Sequence, residues 1–210
     1  MTISLLDWAG LYEAHKDKAV CLDIETDGIC GRITVVGFSR CGEGEIDYTG
    51  LVLDRDLGLE TVATALRGAG LLITFNGVKH DLPRLRAAFP ELNLASIPVL
   101  DLYLIAKRLG LKARLTTLEA MFGISRPDPR TARHHIATRL WRRWVKFRDP
   151  GALDLLVAYN RQDTINLYPL AEALMGLVRR GQVSSFKSRL SRHPRRARAH
   201  FAGQSQGRWH

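Results

Sequence analysis

The stretch Ala19-Val-Cys-Leu-Asp-Ile-Glu-Thr-Asp-Gly28 reads as a short strand whose two faces differ in kind. Val20, Leu22 and Ile24 alternate toward one side, so Cys21, Asp23 and Glu25 share the other. Two residues along a strand cover roughly 6.6 Å, which sets the two acids side by side. Burying like charges that close is unfavourable unless something positive lies between them.

The rest of the chain supplies the setting for that strand. A second apolar run, Ile33–Ser39, follows the turn TDGICGR, and a third, Ile46–Leu53, follows the turn CGEGE, so residues 19–53 form an antiparallel meander. A helix over about 4–16 precedes it. After it come a helix over 59–68, a strand over 71–75, and a helix starting near His80–Leu82, where Pro83 fits a first turn. Pro98–Leu100 is a short fifth strand, and Asp101 is suited to cap the helix Leu102–Leu109. Helical patterns fill the remainder: 115–122, parts of 131–147, and 151–178 with a kink expected at Pro169. Three hairpin-linked strands, then alternating helices and strands, then helices, predict a mixed α/β sheet flanked by helices.

Composition bounds the class. A hydrophobic content of 46% over 210 residues suits one globular domain. No run approaches the ~18 apolar residues that span a bilayer, so no membrane partner is expected. The first residues carry acids and no basic segment ahead of an apolar run, unlike a signal peptide. Three cysteines without C-x-x-C spacing point to reduced thiols and a cytoplasmic location. The net charge is +10, but residues 179–210 hold nine Lys/Arg and no acid, so the basic character belongs to the end of the chain. We read residues 1–180 as the domain and 181–210 as a basic, disordered tail that attracts phosphates non-specifically.

Two further acids join the first pair. Asp81 opens the helix after Phe75-Asn-Gly-Val-Lys-His80, where a simple cap is the alternative to a ligand. Asp163 lies four residues after Tyr159, on a helical stripe with Leu155, Leu156, Asn166 and Leu167. A carboxylate on that core-facing stripe needs a bonding partner or a metal.

In this order and on these elements, the sequence resembles the DEDD 3′–5′ exonucleases of the ribonuclease H-like fold. The match is to the Tyr-bearing DEDDy branch, which includes the proofreading domains of B-family DNA polymerases. The three motifs are Asp23-Ile-Glu-Thr26, Phe75-Asn-Gly-Val-Lys-His-Asp81 and Tyr159-Asn-Arg-Gln-Asp163. The pattern is similar also to small prokaryotic exonucleases of YprB type, whose third motif often reads Tyr-Asn-x-x-Asp and follows a Trp- and Arg-bearing helix like Leu140-Trp-Arg-Arg-Trp144. The chain departs at His80, where the family usually has Phe or Tyr.

The resemblance implies a ribonuclease H-like mixed sheet and two divalent ions, Mg²⁺ or Mn²⁺, suited to oxygen ligands. Asp23 would bridge both ions, Glu25 and Asp163 would complete the first site, and Asp81 would hold the second through water. Tyr159 would orient the attacking water, and Asn76 would hold the terminal nucleotide. Further substrate-binding candidates are Ile24 and Thr26 beside the first motif, Lys79 in the second, and Arg142 and Arg143 on a basic helix. Residues 125–150 hold eight Lys/Arg and two Asp, with His134, His135, Trp141 and Trp144 interleaved, and Arg139, Arg142, Arg143 and Lys146 recur at helical spacing. Such a face suits a single strand, whereas the tryptophans fit core packing equally well. The expected activity is 3′–5′ hydrolysis of single-stranded DNA; an RNA-trimming enzyme and a catalytically silent nucleic-acid-binding module are the alternatives.

Overall fold

The computed structural model describes residues 4–28, 31–42, 45–132 and 136–192. A capped helix α1 (Leu5–His15) leads into strand β1 (Ala19–Thr26). Strands β2 (Ile33–Gly42) and β3 (Glu45–Val52) complete the meander. Helix α2 (Leu59–Leu66) precedes strand β4 (Leu71–Thr74), helix α3 (Asp81–Ala88) and strand β5 (Val99–Asp101). Then follow α4 (Leu102–Arg108), α5 (Leu115–Phe122), α6 (Ala137–Phe147), α7 (Pro150–Arg179) and α8 (Val183–Arg192).

The five strands form one sheet in the order β3-β2-β1-β4-β5. β1 is its centre, antiparallel to β2 and parallel to β4, while β5 joins β4 in parallel. The alternation read along 19–25 decides which helices cover which face. Val20 and Leu22, with Val36, Phe38 and Leu72, pack against Val62 and Leu66 of α2 and Leu82 and Leu85 of α3. Ala19 and Cys21, with Leu71, Ile73 and Leu100, pack against α1, α4, α5 and α7. The carboxylates of Asp23 and Glu25 therefore continue the face covered by α7. This is the mixed α/β sheet flanked by helices that the sequence predicts.

Helix α7 is one 30-residue element with Pro169 inside it. One expectation changes. The chain from 181 was expected to be disordered, yet α8 is a helix and Phe186 is 1% exposed, its ring stacked on Phe122 at 4.9 Å between centroids. The apolar signal is short, with Val183 and Phe186 three residues apart among serines and basic residues, and both pack against the core that holds Phe122. The folded unit thus reaches at least to residue 192, and the basic segment 193–210 lies outside the described residues. Glu43, Gly44, His134 and His135 lie outside them too. Among the described residues no helix is long and apolar enough to cross a membrane.

Docking of α8 has a direct measure. Phe186→Ala should lower the stability of the whole fold by about 3–5 kcal/mol, the range for emptying a buried aromatic site. Chemical denaturation of the two proteins checks it, and a loss below ~1 kcal/mol would mean that α8 is not part of the cooperative unit.

Candidate active site

Asp23 and Glu25 project from β1 under α7, and α7 sends Asp163 to meet them. One carboxylate oxygen from each of the three lies within 4.8 Å of the others. Close approach of helix to sheet makes this possible. Gly37, paired with Asp23 across the ladder, has no side chain where a Cβ would stand 2.1 Å from Asn160 Oδ1 and 2.4 Å from Thr164 Oγ1. A larger residue there would have to displace Asn160, which bonds Asp23, and Thr164, or lift α7 from β2.

Asp81 arrives from the other direction. β4 pairs with β1 only through Cys21, so the Ile24 N–H lies past the end of that ladder and donates to Asp81 Oδ1 at 3.0 Å. The acid is the first residue of α3, with His80 at the cap position, so its carboxylate reaches back to β1 instead of capping its own helix. The loop between β4 and α3 is held by Asp101. This residue is 3% exposed and accepts backbone N–H bonds from Asn76, Val78, Tyr103 and Leu104 at 2.8–3.3 Å. Asn76 takes a left-handed backbone conformation at φ 63°, which an Asn tolerates better than most residues.

Few charges oppose this crowding. Asn160 Nδ2 donates to Asp23 Oδ2 at 2.9 Å, while its Oδ1 accepts from the Tyr48 hydroxyl at 2.9 Å. Arg126 pairs with Asp163 and, through Nη2, with Glu119 Oε1 at 2.8 Å. Its Nη1 bonds the Thr131 carbonyl at 3.0 Å, and Asn166 Nδ2 bonds Glu119 at 3.0 Å. This arginine is bonded on all sides and fixes one oxygen of Asp163.

Burial, with Glu25, Asp163 and Asp81 nearby, holds the Asp23 carboxyl well above the usual carboxylate range. Burial and the neighbouring Asp163 and Asp81 do the same to Glu25. Burial raises Asp81 and Asp163 to about 6, against the Ile24 N–H at the former and Arg126 at the latter. Burial and the three acids raise Tyr159, which keeps its proton at neutral pH. Four acids that resist ionisation, with one arginine already shared with Glu119, form a site that a divalent cation would relieve. The donor set is oxygen only, as hard cations require.

Beside the cluster opens a cavity of about 570 Å³, lined by Phe75, Asn76, His80, Tyr103, Tyr159, Asp163 and the segment Lys112–Thr116. Asn76 and Tyr159, singled out in the sequence, are both in this wall. The other substrate-binding candidates are not. Lys79 is exposed next to His80 without lining the cavity. Ile24 uses its N–H on Asp81, and Thr26 donates its hydroxyl to the Gly28 carbonyl at 2.8 Å. On α6, Arg139, Arg142, Arg143 and Lys146 are exposed as the spacing implies, although Arg143 pairs with Asp149. Trp141 is buried against Val35 and Leu156 and Trp144 packs at the edge of that cluster, so the tryptophans serve the core.

Sequence reasoning missed Arg126, Glu119, Tyr48 and the clamping role of Asp101. Eight basic residues in 125–150 gave no sign of which one turns inward. Asn160 was legible as part of the third motif but without its contact to Asp23.

The sequence model of the RNase H superfamily matches residues 20–175, which span all five strands, all four acids and Tyr159. The chain belongs to the RNase H superfamily. No curated protein and no solved structure matches it significantly. Membership of this superfamily suggests a nuclease that acts on nucleic acid with divalent metal.

The raised acids give a pH dependence of definite sign. Where native carboxyls titrate near 6 and unfolded ones near 4, the native state binds more protons between those values, so stability falls as pH rises through that window. With a chelator present, the melting temperature should drop from about pH 4.5 to 6.5, and Asp23→Asn should flatten the drop. An equal slope in the variant would show that the cluster is not its source.

Proposed function

We propose that this protein is a metal-dependent 3′–5′ exonuclease of the Tyr-bearing DEDD branch, hydrolysing phosphodiester bonds at the end of a single strand, with DNA the favoured substrate. The observation that carries the reading is the pairing of Tyr159 with the acidic cluster. One turn of α7 brings a protonated phenol and Asp163 to the same cavity wall, against Asp23 and Glu25.

The residues fit the implied ions. Asp23, Glu25 and Asp163 would hold one, and Asp81, tied to the backbone between the first two, would serve a second. A divalent ion there supplies Lewis acidity and neutralises charge on the phosphate. The chain supplies the rest. Arg126 fixes one oxygen of Asp163, and Asn160 fixes one of Asp23, so neither carboxylate has to find its orientation when substrate arrives. Tyr159 cannot act as a base with its proton held so firmly; it donates a hydrogen bond and orients the attacking water. The cavity beyond Tyr159 has the dimensions of a pocket for one small ligand, here a single nucleotide unit.

The test uses 5′-labelled single-stranded DNA and RNA of one sequence with Mg²⁺, Mn²⁺ or chelator. A metal-dependent ladder that shortens from the 3′ end is expected, and a circular strand should be left intact. Tyr159→Phe keeps the ring but loses the hydroxyl, and should lower kcat on the order of 10²–10³-fold. Full activity of that variant would remove the water-orienting role, and equal cleavage of the circle would remove the exonuclease reading.

A further inference from the structure

Helix α6 carries a surface that lies outside the cavity. Its 11 residues include Arg139, Arg142, Arg143 and Lys146 and no acid. A solvated helix face ordinarily mixes both signs, since like charges four residues apart repel. Here Arg139 precedes Arg143, and Arg142 precedes Lys146, at that spacing. Of the four, only Arg143 has an acid partner among the described residues, Asp149. The helix dipole favours a cation in the last turn, which accounts for Lys146 but not for Arg139 in the first.

An open ring stands among these charges. Phe147 is 67% exposed, although an aromatic gains much from burial. The Lys146 ammonium lies 5.0 Å from the centre of that ring, and the Arg148 guanidinium 5.4 Å from the centre of Trp144. Arg148 ends the helix in the left-handed conformation at φ 49°, which a glycine would take at less cost. The arginine in its place sets a further cation beside an aromatic ring.

Cations next to an exposed ring suit a single strand, because cations meet phosphates and a ring stacks on any base. A lipid surface fits less well. The larger apolar face of α6, made by Leu140, Trp141 and Trp144, is already packed with Val35, Val52, Leu153 and Leu156, which leaves Phe147 and Val145 to insert.

The placement of α6 decides which part of a strand it could meet. In its first turn Thr138 Oγ1 donates to the carbonyl of Thr26, the residue after Glu25, at 3.3 Å. Phe147 is nine residues further along the helix, about 13–14 Å at 1.5 Å per residue. A strand rising ~3.4 Å per nucleotide covers that span in about four nucleotides. We propose that the exposed face of α6 holds the single strand on the 5′ side of the scissile phosphate, with Phe147 stacking on a base and Arg139, Arg142 and Lys146 meeting phosphates. The proposal rests on the exonuclease reading, in which the cavity takes the 3′ unit.

The experiment uses the full chain and has two arms. In the first, binding of 5′-labelled oligothymidylates of about 12 and about three nucleotides is followed by anisotropy in chelator. Phe147→Ala should weaken binding of the longer strand roughly tenfold, the scale of one stacked base, while its log–log salt slope and melting temperature stay with the wild type. Arg139→Ala/Arg142→Ala should make that slope shallower by about 1.4, at ~0.7 per phosphate on a single strand. In the second arm both strands are cleaved with Mn²⁺. Phe147→Ala should lower the ratio of kcat/KM for the longer strand to that for the shorter one roughly tenfold.

The outcomes separate the two readings. A normal 3′–5′ ladder with no effect of Phe147→Ala on binding or on the length ratio overturns the α6 surface and leaves the exonuclease intact. Equal losses on both lengths overturn its placement four nucleotides from the site. Loss of binding to anionic phospholipid vesicles in Phe147→Ala, with oligonucleotide binding at the wild-type level, overturns it in favour of a membrane. No cleavage of either strand, with the longer one bound and released by Phe147→Ala, sustains a strand-binding surface on α6 and overturns the nuclease.

Discussion

Bringing Asp163 against Asp23 and Glu25 costs free energy in the absence of a counter-ion, and much of the surrounding structure serves to hold that contact. Two of the acids share one strand face by period two, so they cannot separate without breaking the central strand of the sheet. The third rides on a 30-residue helix packed across β1 and β2, so it cannot withdraw without uncovering the core. Core burial on both sides of β1 is the force that offsets the repulsion. The residual imbalance appears as carboxyls that hold their protons above the usual range.

The neighbours are arranged around that imbalance. Arg126 meets Asp163 but is shared with the buried Glu119, so the pair adds orientation and little net charge to the cluster. Asn160 contributes an amide donor where a lysine would neutralise Asp23 outright, and it is itself held by Tyr48. Asp101 is not one of the clustered acids, yet two of its backbone bonds cap α4 and the other two, from Asn76 and Val78, tie to it the loop that carries Asn76 toward the cavity. The site is thus rigid in position and short of positive charge, which is the condition a tightly held cation relieves.

Much of this was legible in the sequence, for identifiable reasons. Strand alternation over 19–25 set Asp23 and Glu25 on one face, and helical spacing set Tyr159 with Asp163, because both periods are fixed by backbone geometry. Asp101 was recognised as a cap because that signal is local. What escaped depends on tertiary packing. Arg126 is one of many arginines until Glu119 folds beneath it. Phe186 is a lone aromatic until it finds Phe122 across the domain. Trp141 and Trp144 had two equal readings at i, i+3 spacing, and only the position of α6 against β2 assigns them to the core. The helix start at Asp81 was read correctly, while its bond to Ile24 follows from the early end of the β1–β4 ladder, which no local signal marks.

The claim that the cluster is short of one kind of charge is tested most directly by the melting temperature as a function of Mg²⁺ or Mn²⁺ at neutral pH, for the wild-type protein and Asp23→Asn. The account predicts that the wild-type midpoint rises with ion concentration as the native state is drawn into the bound form. It predicts that Asp23→Asn melts no lower than wild type in chelator and gains far less from the ion. A wild-type midpoint indifferent to both ions, or an equal rise in the variant, would contradict it.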